Sequence, residues 1–460
     1  MVYAATANEQ LMLELLNRAR LDPAGEAARF GIDLNEGLAP GTLSSAARQP
    51  LAMNELILAA ARGHSSWMIA NDVFSHTGAG GSSPFDRMDA AGYAFTGSWG
   101  WGENISWRGT TGIANLSTMI VTQHQSLFVD ANIAGRGHRL AMLNDGFREV
   151  GIGQTGGVFT SNGINYNASM VTQDFGRSGS AVFILGVAYD DGDGNAFYSV
   201  GEGRSGVNIS VGASSTDSGA SGGYTLAVTS GIQTVTFSGG GIATPMTVEV
   251  DTSGGNVKLD IENGNHILSS GSLTLGAGAS AVTLLGVADL NVTGSSASDI
   301  ITGNSGANNL DGGDGADAID GGLGADTMTG GDGSDLYYVD NVGDVVSETT
   351  VNVAIGGTDR VISSITYTLP VNVENLTMVG TGNIIGNGNG SNNFMSGNAQ
   401  ANTLRAWGGN DVFVPGAGSD WMSGGIGQDY FVFNTALGPN NRDAITDFVH
   451  ADDTIRIDDA

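Results

Sequence analysis

The rhythm of apolar and polar positions changes twice along this chain. Up to about residue 178, apolar residues recur at three- and four-residue steps, the period of a helix with one buried face. Met12, Leu13, Leu15 and Leu16 follow Thr6 and Glu9, which have capping-box spacing, and Asp22-Pro23 ends the segment. Leu56, Ala60, His64, Trp67 and Met68 predict a second helix over 51–71, and a looser repeat predicts a third over 118–129. Residues 150–153 and 169–175 read as strands, which makes 1–178 an α+β domain.

From 181 to 262 the helical period disappears. Short alternating runs at 182–187, 207–211, 223–228, 233–237 and 246–250 are separated by Gly, Ser and Asp clusters, the pattern of a small β-sandwich. Residues 263–293 read as a Gly- and Ser-rich connection with some strand character.

Then a period of nine sets in. The units GGDGADAID, GGLGADTMT and GGDGSDLYY run from Gly312 to Tyr338, inside an array covering 294–338. A second array covers 388–432. Between them 339–387 breaks the period and reads as a strand-rich insert, and 433–460 follows as a C-terminal cap. In each unit the glycines permit a tight turn, the sixth residue adds a carboxylate, and an apolar residue two places on faces inward. Two units make one coil, so turns stack every 18 residues, and Asp317 comes to lie beside Asp335 and Asp411 beside Asp429. Stacked carboxylates and turn carbonyls form an oxygen-only cage suited to calcium, so folding is expected to be coupled to calcium. A flexible glycine linker would need no inward ladder of Ile319, Met328, Tyr337, Phe413, Met422 and Phe431.

Charge and composition sharpen this picture. The 460 residues carry 47 acidic side chains against 17 basic ones, a net charge of -30, and 74 glycines. Lys258 is the sole lysine. Such a field repels nucleic acid and anionic lipid, so neither is an expected partner. Cysteine is absent, which excludes disulfides and thiolate metal sites. No 18-residue apolar run predicts a membrane span, and Met1–Asn8 lacks the features of a cleavable signal peptide.

The nonapeptides resemble the RTX repeat family. Carried over by position, its calcium-binding aspartates fall on Asp317, Asp326, Asp335, Asp411, Asp420 and Asp429, with Asp299 an outer member; Asn308, Asn393 and Asn402 stand where the family has aspartate. The resemblance implies parallel β-rolls and export in one step by a type I-like transporter that reads an uncleaved C-terminal signal. It also implies folding outside the cell, secreted or on the surface of a double-membraned bacterium. The tail containing Asp447-Phe448 and Ile455-Arg456-Ile457 resembles the segment after such rolls.

The motifs Phe74-Ser-His-Thr77, Gly102-Glu-Asn-Ile105 and Gly137-His-Arg139, with Leu51 to Glu55 and Arg148 to Gly153, resemble in their order the CAP superfamily, the SCP-like or pathogenesis-related-1-like fold. The resemblance implies an αβα sandwich with a cleft lined by His76, His138 and Glu103. The family's second acid has no match by motif, and chain order offers His124 or Asp130. Two imidazoles and a carboxylate are a zinc-type donor set, while a polar cluster tying helices together is the plainer alternative. No H-E-x-x-H and no G-x-S-x-G occurs, which removes the usual zinc protease and serine hydrolase readings. His64 reads as a core residue, and His266 and His450 as surface residues.

In the middle block Asp191, Asp193, Asn195, the Phe197 carbonyl, Ser199 and Glu202 stand at positions 1, 3, 5, 7, 9 and 12 of a calcium loop, with Ala196 where glycine is usual. An acidic β-turn without an ion is the alternative. Together these features predict a secreted calcium-binding protein, non-enzymatic or weakly enzymatic, whose CAP cleft takes a small ligand, lipid, glycan or other envelope component. A metal-dependent hydrolase using the cleft histidines and a surface adhesin are the rivals.

Overall fold

The computed structural model describes residues 4–348, 356–436 and 438–458. Met1 to Tyr3, part of the predicted insert at 349–355, and the last two residues lie outside them. The chain forms two compact units. The first runs to Leu273, with Ala277–Ala279 and Leu285–Ala288; the second takes Thr274–Gly276, Ser280–Leu284 and the chain from Asp289 onward.

In the first unit, helix α1 (Ala7–Leu21) starts at the expected capping box of Thr6 and Glu9. It stops at Asp22, whose side chain caps α2 (Pro23–Arg29), with Pro23 in the first turn where no amide is needed. Helices α3 (Glu55–Asn71), α4 (Pro84–Ala90), α5 (Leu116–Val129) and α6 (Gly137–Met142) surround strands β1 (Ala52–Met53), β2 (Gly100–Thr110), β3 (Glu149–Ser161) and β4 (Ile164–Arg177). The sheet order is β1-β3-β4-β2. On one face α3 lies so close to β3 that a Cβ on Gly151 or Gly153 would come within 2.2–2.3 Å of its backbone. On the other, Val150 and Ile152 join Met12, Leu16, Ile120 and Phe128 in the main core. This is the expected αβα arrangement.

The following strands fall into two sheets. One contains Val182–Tyr189, Gly223–Val228, Val257–Glu262 and His266–Ser269; the other contains Val207–Val211, Ser214–Asp217, Ile232–Gly239 and Met246–Asp251. The pattern change near residue 180 does not separate two cores. Val187, Tyr189 and Tyr198 are buried in the same cluster as Leu11, Met12 and Leu15. The sole lysine, Lys258, is buried against Asp260 and reaches Glu14 of α1 at 2.8 Å. Burial pushes the Glu14 carboxyl up to about 7 even with Lys258 beside it.

The second unit is a parallel β-solenoid. Ala281–Leu284, Ile300–Thr302, Ala318–Asp320, Leu336–Val339, Arg360–Ser363, Asn375–Met378, Phe394–Ser396, Val412–Val414, Tyr430–Phe433 and Thr454–Ile457 are successive parallel neighbours in one sheet. Their registers align Ile301, Ile319, Tyr337, Val361, Leu376, Met395, Phe413 and Phe431 in one fully buried ladder. The expected division into two rolls with a separate insert therefore changes. The period fails at 339–387, but Arg360–Ser363 and Asn375–Met378 keep their places in the sheet because the inward apolar residue is retained. Coiling also begins before Gly294, with Ala281–Leu284 and Asn291–Thr293 already paired to the next coil, in what reads as a linker from composition alone. Among the described residues no helix is long and apolar enough to cross a membrane.

Candidate functional site

The coil turns present their aspartates in two ladders. The Asp299 amide donates to Asp317 Oδ1 at 2.7 Å, and the Asp317 amide to Asp335 Oδ1 at 2.8 Å. Asn308 donates to Asp326, Asn393 to Asp411, and Asn402 to Asp420, each at 2.7 Å; Asp411 donates to Asp429 at 3.0 Å. One carboxylate oxygen of each rung is thus satisfied by the turn 18 residues earlier. The other oxygen, Oδ2, of Asp317, Asp326, Asp335, Asp411 and Asp420 is buried and meets no hydrogen-bond partner. A buried unpartnered carboxylate oxygen is costly, and a hard cation between turns is the partner these oxygens lack. Burial pushes Asp317, Asp411 and Asp420 up to about 7 and Asp326 to about 6, and neighbouring acidic groups add to this; Asp335 and Asp429 are raised as well, chiefly by burial.

The ladder extends beyond the residues expected from the repeat. Asp326 donates its amide to Asp344, Asp335 to Asp359, Asp420 to Asp443 and Asp429 to Asp453, at 2.8–3.1 Å. Three of these rungs span 23 or 24 residues rather than 18, which hides them from a fixed period. Their signal is local instead: each aspartate stands two places before an apolar residue, Val346, Val361, Ile445 or Ile455, of which Val346 and Val361 are buried.

Turn geometry explains the glycines. Gly333 has φ +144°, and a Cβ there would sit 1.5 Å from the Gly315 carbonyl oxygen of the previous coil. Gly427 has φ +150° and the same conflict with Gly409.

In the first unit, His76, His138 and Asp130 line one cleft of about 430 Å³ together with Phe74, Ile105, Trp107, Leu127 and Ile133. His76 Nδ1 lies 2.7 Å from Glu103 Oε1, and His138 Nδ1 lies 2.7 Å from Asp130 Oδ1. A ring whose Nδ1–H donates to a carboxylate keeps Nε2 as its free acceptor, the arrangement that orients metal-binding histidines. The Asp130 carboxylate also accepts the His138 amide, fixing the start of α6. Glu103 is buried and held as well by Arg87.

His124 goes elsewhere. It is buried and bonded to Glu26 Oε1 at 2.8 Å, under α2, and Arg18 grips the same carboxylate. Burial holds His124 below its ordinary range. Burial would raise Glu26, but the bonds from His124 and Arg18 prevail and hold it at about 2. Asp174 has no signal in the sequence. It is fully buried opposite Glu103 in the β2/β4 pairing, and burial followed by the Glu103 charge pushes it well above the usual carboxylate range. His64, as expected, is buried, with Nε2 at 2.9 Å from the Ser75 carbonyl. His266 is partly buried and 2.7 Å from Glu262.

The 191–202 loop closes on itself. Asp191, Asp193 and Glu202 bring carboxylate oxygens within 4.8 Å of one another, and Ser199 donates to Asp193 at 3.0 Å. Ala196 adopts φ +55°, the backbone that glycine usually supplies in such loops. Asn195 donates through its side chain to Ser199 rather than standing free.

Residues 13–165 match the profile of the cysteine-rich secretory protein family, CAP, although this chain has no cysteine. The RTX calcium-binding nonapeptide repeat matches in four copies, at 293–328, 319–346, 387–422 and 416–431. Among solved structures the chain is similar to an extracellular protein containing an SCP domain from Bacillus anthracis str. Ames, at 22% identity and a TM-score of 0.23. That alignment covers 37% of this chain and 40% of the other, so it spans less than half of either. No curated protein matches. The chain carries a CAP domain followed by RTX calcium-binding repeats wound into a β-solenoid, and it is a calcium-binding protein.

Proposed function

We propose that the protein works outside the cell, where calcium closes the solenoid and the CAP cleft takes an amphiphilic ligand such as a lipid or envelope component. The carrying observation is the cleft's composition: apolar walls from Phe74, Ile105, Trp107, Leu127 and Ile133 beside two histidines whose outer nitrogens are free for a polar head group. The calcium requirement supports the location, since oxygen cages of the extracellular kind load at about 0.1–1 mM calcium. Export of an unfolded chain by a type I-like transporter follows from the repeat family, as does a double-membraned bacterial source. Trp107 provides the test. Calcium-loaded full-length protein is titrated with lipid vesicles and glycans while its tryptophan emission is read, and His76→Ala with His138→Ala should weaken the change. No response across lipids and glycans would overturn the reading.

The carboxylate-backed histidines favour a second reading, a divalent metal such as zinc in the cleft. His76 and His138 would hold it through Nε2, with Glu103 and Asp130 orienting them. Bound zinc supplies a Lewis acid that makes a water more acidic. Metal content of the purified chain, lost in His138→Ala, tests it; hydrolysis of ester or amide panels by the loaded protein would move the assignment to a hydrolase. The 191–202 loop is proposed as a further calcium site on its Asp191, Asp193 and Glu202 cluster. Calcium-dependent attachment to cells independent of the cleft would instead favour an adhesin.

A further inference from the structure

The turn after Val345–Ser347 departs from every repeat before it. Register pairs Thr329 with Ser347, so Glu348 occupies the place that Gly330 holds one coil earlier. Register also pairs Leu336 with Arg360, so Asp359 occupies the place of Asp335, 24 residues on rather than 18. The consequence is geometric. A Cβ built on Gly330 would lie 2.2 Å from Asp335 Oδ2, and one on Gly321 would lie 2.5 Å from Asp326 Oδ2. The first turn position therefore aims any side chain at the carboxylates, and at Glu348 that side chain is a third carboxylate.

We infer that Asp335, Glu348 and Asp359 form a calcium site at this junction, outside the nonapeptide pattern. Their carboxylate oxygens lie within 4.8 Å of one another. All three residues are more than nine-tenths buried, and Asp335 Oδ2 and Glu348 Oε2 have no hydrogen-bond partner. The other Glu348 oxygen is held by the buried Tyr337 hydroxyl, which fixes where the carboxylate points. Asp359 Oδ1 accepts the Asp335 amide at 2.8 Å, and the Asp359 amide donates to Glu374 at 3.0 Å. An all-oxygen set selects calcium over zinc. Three carboxylates meet here where two plain turns bring two, and calcium affinity rises with ligand charge. This site loads first.

The site deepens the calcium reading of the repeats, and its test separates the two. Full-length protein is stripped with chelator and titrated with calcium under native mass spectrometry, and in parallel with terbium under tyrosine excitation. Glu348→Gln should lower the ion count by one and abolish the phase at lowest calcium. Glu348→Gly, which restores the residue of the repeat, should fold and raise the calcium needed for the first ion about tenfold. Tyr337→Phe should keep the ion count but lose the early terbium emission, because energy transfer falls steeply with distance. An unchanged count and first phase in both Glu348 variants would overturn the site while leaving the repeats as calcium ligands. A wild-type chain that takes up no calcium at all would overturn both.

Discussion

The two units of this molecule treat buried negative charge in opposite ways. In the first, most buried carboxylates of the cleft and core meet a basic side chain: Glu26 has His124 and Arg18, Glu103 has His76 and Arg87, Asp130 has His138, and Glu14 and Asp260 share Lys258. Asp174, opposite Glu103, is the exception: both its oxygens are buried without a hydrogen-bond partner, and burial pushes its carboxyl well above the usual range. In the second unit the carboxylates of Asp317, Asp326, Asp335, Asp411 and Asp420 each leave one oxygen unanswered. Its only basic side chains are Arg360, Arg405, Arg442, Arg456 and His450, and among the described residues none pairs with those five aspartates. One unit meets most of its buried charge with side chains from its own sequence, while the other leaves carboxylate oxygens open to the calcium that its repeats bind.

Removing calcium is the strongest way to break this contrast. In EGTA the coils from about 300 to 432 should lose their structure, while α1, α3 and the β3/β4 pair keep theirs. Hydrogen exchange on the full chain reads both at once: coil peptides should exchange within seconds, and helix peptides should stay protected. Equal protection of the coils with and without EGTA would remove the basis of the comparison.

How far the sequence announces each unit follows the same physics. A repeat must satisfy the same turn geometry every nine residues, so Gly315, Gly333 and the apolar ladder are visible as a period. Where the spacing is longer, at Asp359, Asp443 and Asp453, the carboxylate keeps its rung, and a fixed period misses it. The cleft is the reverse case. His76, Glu103 and His138 are far apart in sequence and show only as short motifs, and nothing local marks Asp174 or Arg87 as their neighbours. His124 and Asp130 could not be ranked from chain order, because six residues along α5 separate a core position from the helix end. The shared core of 1–178 and the sandwich was hidden as well, since the change of period at residue 180 reports secondary structure and not packing.

The next largest effect belongs to the first unit. Glu26→Ala leaves His124 and Arg18 without their acceptor inside the core and should cost about 3–5 kcal/mol, with no change in calcium uptake. Thermal melts in calcium and in EGTA check this: the helical transition should fall in both. A loss seen only in EGTA would mean the two units share their stabilising charges.

Acid should act on the same pair more gradually. Glu26 sits at about 2 in the fold against 4.5 ordinarily, so its contribution is complete above 4.5 and lost as pH falls toward 2. His124 is held below 6.5, so the unfolded chain takes up its proton first and the loss begins below 6.5. Both signs agree, and the helical transition should weaken steadily from about pH 6.5 downward. Glu26→Gln should flatten the part of that curve below 4.5; an unaltered curve would place acid sensitivity elsewhere.

The smallest effects distinguish rungs within the solenoid. Asp299 Oδ2 accepts the Ser295 amide at 2.6 Å, and its other oxygen faces the Ser295 hydroxyl at 3.3 Å. Asn308, Asn393 and Asn402 likewise accept an amide four residues earlier, from Asn304, Asn389 and Asn398 at 2.9 Å each. Asp299 therefore makes the same bond as the asparagines, tying its own turn, whereas Asp317 keeps a buried oxygen with no hydrogen-bond partner. Asp317→Asn should raise the calcium concentration for folding about tenfold by removing a charge from the cage. Asp299→Asn keeps the oxygen that the Ser295 amide needs and should change stability by less than about 0.5 kcal/mol. Calcium titrations followed by circular dichroism compare the pair; equal shifts would show that position in the repeat, rather than the unpartnered oxygen, decides which carboxylates bind the ion.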